Sequence, residues 1–206
     1  MHRLIAFTLF AGALFAAEPA KTSPEFRKKF IESFPHNGLS TAPGDAMMLR
    51  ILVESRNAKR GVEVGAAIGY GAVNMGIGFE RTGGHLYSLD IDPKSVRTTR
   101  ENLEKVGLEK VVTVIEGDAL QTLAKLTGEF DFVFIDAAKP QYLGYLKAIE
   151  PKLKKGAVVV ADNVIKSERA MKNFLEYIQG SPDYETVIIR SSMDKGDGML
   201  VGYRLR

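Results

Sequence analysis

The chain has no cysteine, which excludes disulfides, thiolate zinc sites and cysteine nucleophiles and leaves the redox compartment open. It also lacks a concentrated basic stretch. The net charge of +3 comes from 28 Lys and Arg interspersed with 25 Asp and Glu, a solvated surface rather than a nucleic-acid footprint, so no nucleic-acid partner is expected. There is no internal repeat and no low-complexity linker. The N-terminal apolar run from Leu4 to Ala17 falls short of the roughly 20 residues a membrane-spanning helix needs.

That run follows Met1-His2-Arg3 and ends before Glu18-Pro19. A basic start, a short apolar core and small residues at its end read as a secretory signal peptide. The cleavage site is imperfect, because Leu14 stands two positions before Ala16 where a small residue is usual. A packed N-terminal helix is the alternative. Residues 1–20 are therefore set apart as a signal-peptide-like or membrane-associating segment. Residues 21–206 read as one domain, with the 45% hydrophobic and 26% charged composition of a globular protein and the length to bury a sizeable core.

Ser23-Pro24-Glu25 has the signature of a helix start, with Phe26, Phe30, Ile31 and Phe34 at helical spacing, and a second helix is expected over Asp45–Ser55. From Gly61 strands and helices alternate. Strands are expected at Gly61–Val64, His85–Leu89, Val111–Ile115, Phe130–Ile135 and Ala157–Ala161, with helices near Tyr70–Phe79, Pro93–Val106, Ala119–Lys125, Pro140–Leu153 and Glu168–Ile178. The strands are continuous apolar runs, as in a parallel sheet covered on both faces. Two further runs, Glu185–Arg190 and Met199–Arg204, flank the turn-rich Ser191–Gly198 and read as an antiparallel hairpin closed by a tight reversal. The fold expected is a doubly wound α/β fold: a mostly parallel seven-stranded sheet with an antiparallel C-terminal hairpin.

The stretch from Gly61 to Gly71 reads as a buried strand, a glycine-rich turn and a helix start, where free backbone N–H groups can meet a ligand. Its glycines at 65, 69 and 71 do not form G-x-G-x-x-G, and Ala67 holds the close-approach position. That argues against a nicotinamide-dependent oxidoreductase. Asp90 stands after the second strand, where an acidic residue binds ribose hydroxyls in nucleotide folds, so an adenosine ligand is expected. The other strand ends are acidic too: Glu63, Asp118, Asp136 and Asp162. Clustered carboxylates repel one another unless a ligand or metal meets them. Asp136, Asp162 and Asn163 make an oxygen-only donor set suited to a hard cation such as Mg²⁺, with capping and turn roles as the alternative. A lysine beside a dication gives up its proton more readily, which suits Lys139 to act as a base.

Glu63-x-Gly65-x-x-x-Gly69-Tyr70, Asp90-Ile91-Asp92, Gly117-Asp118-Ala119, Phe134 to Lys139 and Val160 to Val164 occur in an order and spacing that resemble the cation-dependent O-methyltransferases. This is the group of catechol and caffeoyl-CoA O-methyltransferases and their small bacterial relatives, with a Rossmann-like class I methyltransferase fold. The resemblance runs from about Gly38 to the C-terminus. It implies that Glu63, Gly65 and the backbone at Gly71 hold the methionyl end of S-adenosylmethionine, with Thr41 nearby. It implies Asp90 on the ribose, Ile91 against the adenine, and Asp118 and Ala119 at the adenine edge. Asp136, Asp162 and Asn163 would bind Mg²⁺ or a similar cation, Asp136 also bordering the cofactor, and Lys139 would be the catalytic base. The acceptor implied is a small hydroxylated aromatic, catechol-like or hydroxycinnamoyl-type, and the assembly a homodimer.

Departures from the pattern are Gly71 where serine is common, Leu39 for a frequent methionine, and Ala138 for the aspartate of the plant-type motif. The short segment after Asn163 leaves the acceptor open. A non-catalytic cofactor-binding protein is the alternative that Gly71 and the export-like N-terminus keep in play. Nucleic-acid methylation is disfavoured, because Asp136-Ala137-Ala138-Lys139 stands where an Asn-Pro-Pro-aromatic motif would be. Export also conflicts with a methyl donor made in the cytosol, so the two readings of the N-terminus place the protein in different compartments.

Overall fold

A computed structural model describes residues 20–36 and 38–206. The signal-peptide reading of residues 1–20 falls, all but Ala20, outside those described. Among the described residues seven strands form one sheet: β1 (Arg60–Val64), β2 (His85–Asp90), β3 (Val112–Glu116), β4 (Phe130–Ile135), β5 (Leu153–Ala161), β6 (Tyr184–Ile189) and β7 (Met199–Arg204). Their order is β3-β2-β1-β4-β5-β7-β6. The first five are parallel, and β7 runs antiparallel between β5 and β6. The expected doubly wound fold with its C-terminal hairpin is the fold found.

Helices α1 (Pro24–Glu32), α2 (Pro43–Ser55), α3 (Tyr70–Thr82), α4 (Pro93–Lys105), α5 (Ala119–Lys125), α6 (Tyr142–Ile149) and α7 (Lys172–Gly180) cover the sheet. Strand β4 shows why its sequence is apolar without alternation. Phe132 and Phe134 join the core layer with Leu49, Val73 and Phe79, whereas Val133 and Ile135 join the opposite layer with Tyr142, Ile149 and Phe174. Both faces are buried, so neither can be polar. Ser23 caps α1 by accepting the Phe26 N–H. Arg27 then ties α1 to the body through Glu80 of α3 and the Val106 carbonyl.

Three local features differ from the sequence expectation. The stretch Pro140–Leu153 is not one helix: 3-10 turns at Lys139–Gln141 and Glu150–Lys152 flank α6, because Pro140 and Pro151 lack the N–H that an α-helix interior requires. Strand β5 begins at Leu153, four residues upstream of the apolar run, through the exposed Lys154 and Lys155. The β6–β7 connection is a strap over residues 190–198 with its own 3-10 turn at Met193–Lys195, rather than a tight reversal.

Candidate active site

The register lines up the carboxyl ends of the central strands. Val64 pairs with Ile135, and Ile135 with Ala161, so Gly65, Asp136 and Asp162 follow in one row. Backbone bonds extend the row past the strands: Asp136 N–H donates to Val64 O at 2.8 Å and Asp162 N–H to Ile135 O at 3.0 Å. Gly65 sits at φ +98°, and a Cβ there would lie 2.0 Å from the Asp136 carbonyl oxygen. Only glycine permits that approach.

A cavity of about 770 Å³ runs along this edge. Gly65, Asp90, Ile91, Asp118, Ala119, Asp136, Lys139, Asp162 and Asn163 all line it, as do Leu39 and Ala138. Thr41, Glu63 and Gly71 instead cluster just behind the wall. A Cβ on Gly71 would stand 2.6 Å from Glu63 Oε1 and 3.1 Å from Thr41 Oγ1, so the missing side chain at 71 leaves room for the Glu63 carboxyl. Ser88 donates a 2.5 Å hydrogen bond to Glu63 Oε2. Burial pushes the Glu63 carboxyl up to about 8, against the opposing pull of the Ser88 hydroxyl. Among the described residues no side chain caps the start of α3, whose first N–H groups lack intrahelical partners.

Asp90 organises the glycine-rich turn. Its Oδ2 accepts the N–H groups of Ala66 and Ala67 at 3.0 and 2.9 Å, and its Oδ1 accepts that of Asp92 at 2.9 Å. This fixes Ala67 at φ +47°, a left-handed conformation that a Cβ disfavours. Asp118 both lines the cavity and caps α5 through the Leu120 N–H at 2.9 Å. The capping role and a ligand-facing role therefore coexist in one residue.

At the far end, Lys139 Nζ lies 2.8 Å from Asp136 Oδ1 and donates to Tyr142 Oη at 2.9 Å. The Tyr142 hydroxyl donates on to the Asp162 carbonyl at 3.3 Å. Burial, with Asp136 and Asp162 nearby, raises the Tyr142 phenol far above its ordinary range, so it stays protonated as a relay between the two strand ends. Asp162 is 1% exposed. Burial first, and then Asp136, push its carboxyl up to about 6, with Lys195 pulling the other way.

Lys195, Asp45, Asp197 and Tyr142 were not singled out from the sequence. Lys195 lies on the 190–198 strap and pairs with both Asp162 and Asp45. Asp45 lies in the first turn of α2, a helix the sequence reading began at that residue without giving it a role in the site. Asp197 Oδ1 gathers the N–H groups of Ile165, Lys166 and Gly198 at 2.8–3.0 Å, and its Oδ2 accepts from Asn163 Nδ2. That pins Asn163, at φ +63°, on the cavity wall. A usable signal lay in the topology: β7 is antiparallel to β5, so the loop before β7 must return to the carboxyl edge.

The donor set bears on a metal. Asp136, Asp162 and the Asn163 amide are hard oxygen donors on one wall, and a dication would relieve the repulsion between the two carboxylates. Among the described residues no three His, Asp or Glu side chains converge to form a cage, so the protein would supply only part of a coordination shell. That pattern fits Mg²⁺, which keeps waters or substrate oxygens as ligands.

Comparison with known proteins agrees with this geometry. A family model described as O-methyltransferase matches residues 16–174. A catechol O-methyltransferase from Niastella koreensis is 31% identical over 137 residues, covering 65% of this chain and 62% of that protein. A caffeoyl-CoA O-methyltransferase from Zinnia elegans is 28% identical over 144 residues, covering 67% and 58%. An SAH-bound methyltransferase from Podospora anserina superposes with a TM-score of 0.74 at 25% identity, over 88% of this chain and 86% of that one. The chain thus spans about three-fifths of the length of these curated relatives. With the family match extending over most of its length, the chain belongs to the O-methyltransferase family.

Proposed function

We propose that the protein transfers a methyl group from S-adenosylmethionine to a hydroxyl of a catechol-like or hydroxycinnamoyl-type small molecule, with a divalent cation such as Mg²⁺. The observation that carries this reading is the continuity of the cavity from the glycine-rich turn and Asp90 to Lys139, Asp136 and Asp162. One end offers the close-packed backbone of the glycine-rich turn beside Asp90; the other offers oxygen donors beside a lysine. When bound, the donor supplies an already activated sulfonium methyl and the cation supplies stabilisation of the acceptor's phenolate.

The chain's own residues then have defined tasks. Gly65, on the cavity wall, takes the methionyl end, and Glu63, Thr41 and Gly71 shape that wall from behind. Asp90, Ile91, Asp118 and Ala119 take the adenosine. Asp136, Asp162 and Asn163 are the cation's ligands. Lys139 takes the proton of the acceptor hydroxyl, its ammonium held by Asp136 and Tyr142 at 2.8 and 2.9 Å. Most of the acceleration comes from holding hydroxyl and methyl in line in a site that is electrostatically prepared.

A methyl-transfer screen over catechols and hydroxycinnamoyl thioesters, with Mg²⁺ and with EDTA, tests the reading. Transfer that EDTA abolishes is expected. Full activity in EDTA removes the cation, and absence of S-adenosylmethionine binding by titration calorimetry removes the enzyme.

A further inference from the structure

Two carboxylates hold the Lys195 ammonium at once. Its Nζ lies 3.0 Å from Asp45 Oδ2 and in direct contact with Asp162 Oδ2. Both aspartates are 1% exposed, so each needs a partner to remain charged. Asp162 has little else to offer. Its Oδ1 accepts the Asn163 N–H at 2.7 Å, which leaves Oδ2 as the oxygen Lys195 covers. A cation that takes Asp162 through Oδ2 would sit about 2 Å from the same oxygen that the ammonium now contacts. The cluster is also close to balance: Asp45, Asp136 and Asp162 face Lys139 and Lys195.

The strap that carries Lys195 is attached in two different ways. On one side Ser191 Oγ donates to Asp45 Oδ1 at 2.6 Å, and Asp45 N–H donates to Ser192 Oγ at 2.9 Å. On the other side Asp197 is locked by three backbone N–H groups, none of which involves Lys195.

We propose that Lys195 is an internal counter-ion that competes with the divalent cation for Asp162, and that the cation's arrival loosens the attachment of the 191–195 part of the strap to Asp45. This rests on the cation reading above. The exclusion follows from like charge: a dication on Asp162 repels the ammonium at contact distance. With the ammonium displaced, the strap's first half keeps only the Ser191 and Ser192 bonds to Asp45, while the anchor at Asp197 stays whole, so faster opening is expected in residues 191–195 alone.

Mn²⁺ alone, titrated into the full chain and followed by calorimetry and by its electron paramagnetic resonance signal, tests this. Lys195→Met and Lys195→Gln both remove the charge at similar length, and both are expected to bind Mn²⁺ at least tenfold more tightly than the parent. A second measurement needs no variant. In the parent, Mn²⁺ should speed hydrogen exchange of the amides of residues 191–195 and leave that of Gly198 unchanged. Equal or weaker Mn²⁺ binding in both variants, or unaltered exchange at residues 191–195 under saturating Mn²⁺, overturns the competition while leaving the cation site standing. Absence of Mn²⁺ binding in parent and variants removes the cation reading and the competition with it.

Discussion

Gly65→Ala places a methyl where β1 meets β4. The new Cβ would lie 2.0 Å from the Asp136 carbonyl oxygen, in a backbone at φ +98°. Left-handed backbone costs a non-glycine residue roughly 1–2 kcal/mol, and overpacking costs about 1–3 kcal/mol more. The substitution should therefore destabilise by about 2–5 kcal/mol, or roughly 5–15 °C in a chain of this size. The functional effect should be larger, because relieving the clash moves the Asp136 backbone by about 1 Å, and a shift of that size in a catalytic group can cost about 100-fold in rate. Gly71→Ala is the control. Its Cβ meets Glu63 Oε1 at 2.6 Å and Thr41 Oγ1 at 3.1 Å, side-chain ends that can turn aside, so a loss of about 1 kcal/mol is expected. Urea melts of parent and both variants, with methyl transfer measured on each, give the comparison. A Gly65→Ala protein as stable and as active as the parent refutes the reasoning, as does a greater loss at position 71.

Glu63 makes stability depend on pH. Its folded pKa of about 8 lies above the ordinary 4.5, so the folded state keeps a proton that the unfolded chain releases. Stability should fall as pH rises from about 4.5 to 8, by about 3 kcal/mol at pH 7. Glu63→Gln should flatten that profile while accepting the same Ser88 hydrogen bond; parallel profiles in urea melts from pH 5 to 8 contradict it. Asp197→Ala leaves the N–H groups of Ile165, Lys166 and Gly198 without their acceptor. A loss of about 2–4 kcal/mol is expected, with faster hydrogen exchange at those three amides, and unchanged exchange refutes the anchoring role.

Where one residue's environment follows from its neighbours in sequence, the fold was legible. Strand β4 was read at its full extent because both its faces are buried and the run Phe130–Ile135 is bounded by polar residues. The acidic strand ends were legible because a parallel sheet sends every strand end to one edge. Glu63, Thr41 and Gly71 were identified together, yet their place behind the cavity wall depends on α2 and α3 packing together, which no local pattern encodes. Lys195 and Asp45 are 150 residues apart, and only the sheet order brings them together. Lys195 sits among Asp194, Gly196, Asp197 and Gly198, whose turn chemistry masked a buried ion pair. Tyr142 was hidden for another reason: it lies on the apolar stripe of α6, where an aromatic is ordinary core, and its hydroxyl meets Lys139 of the preceding 3-10 turn and the Asp162 carbonyl just past β5.

Lys139→Met offers the most direct measurement of how the cavity works. The transfer of a labelled methyl group from S-adenosylmethionine to catechol in Mg²⁺ would be followed for parent and variant, with donor binding measured on both by calorimetry. With Lys139 as the proposed general base, its removal should lower turnover by about 10²–10⁴-fold and leave donor affinity unchanged, since the residues proposed to take the adenosine are untouched. Full turnover by the Lys139→Met protein, or a parent that neither binds the donor nor methylates any hydroxylated aromatic, would contradict it.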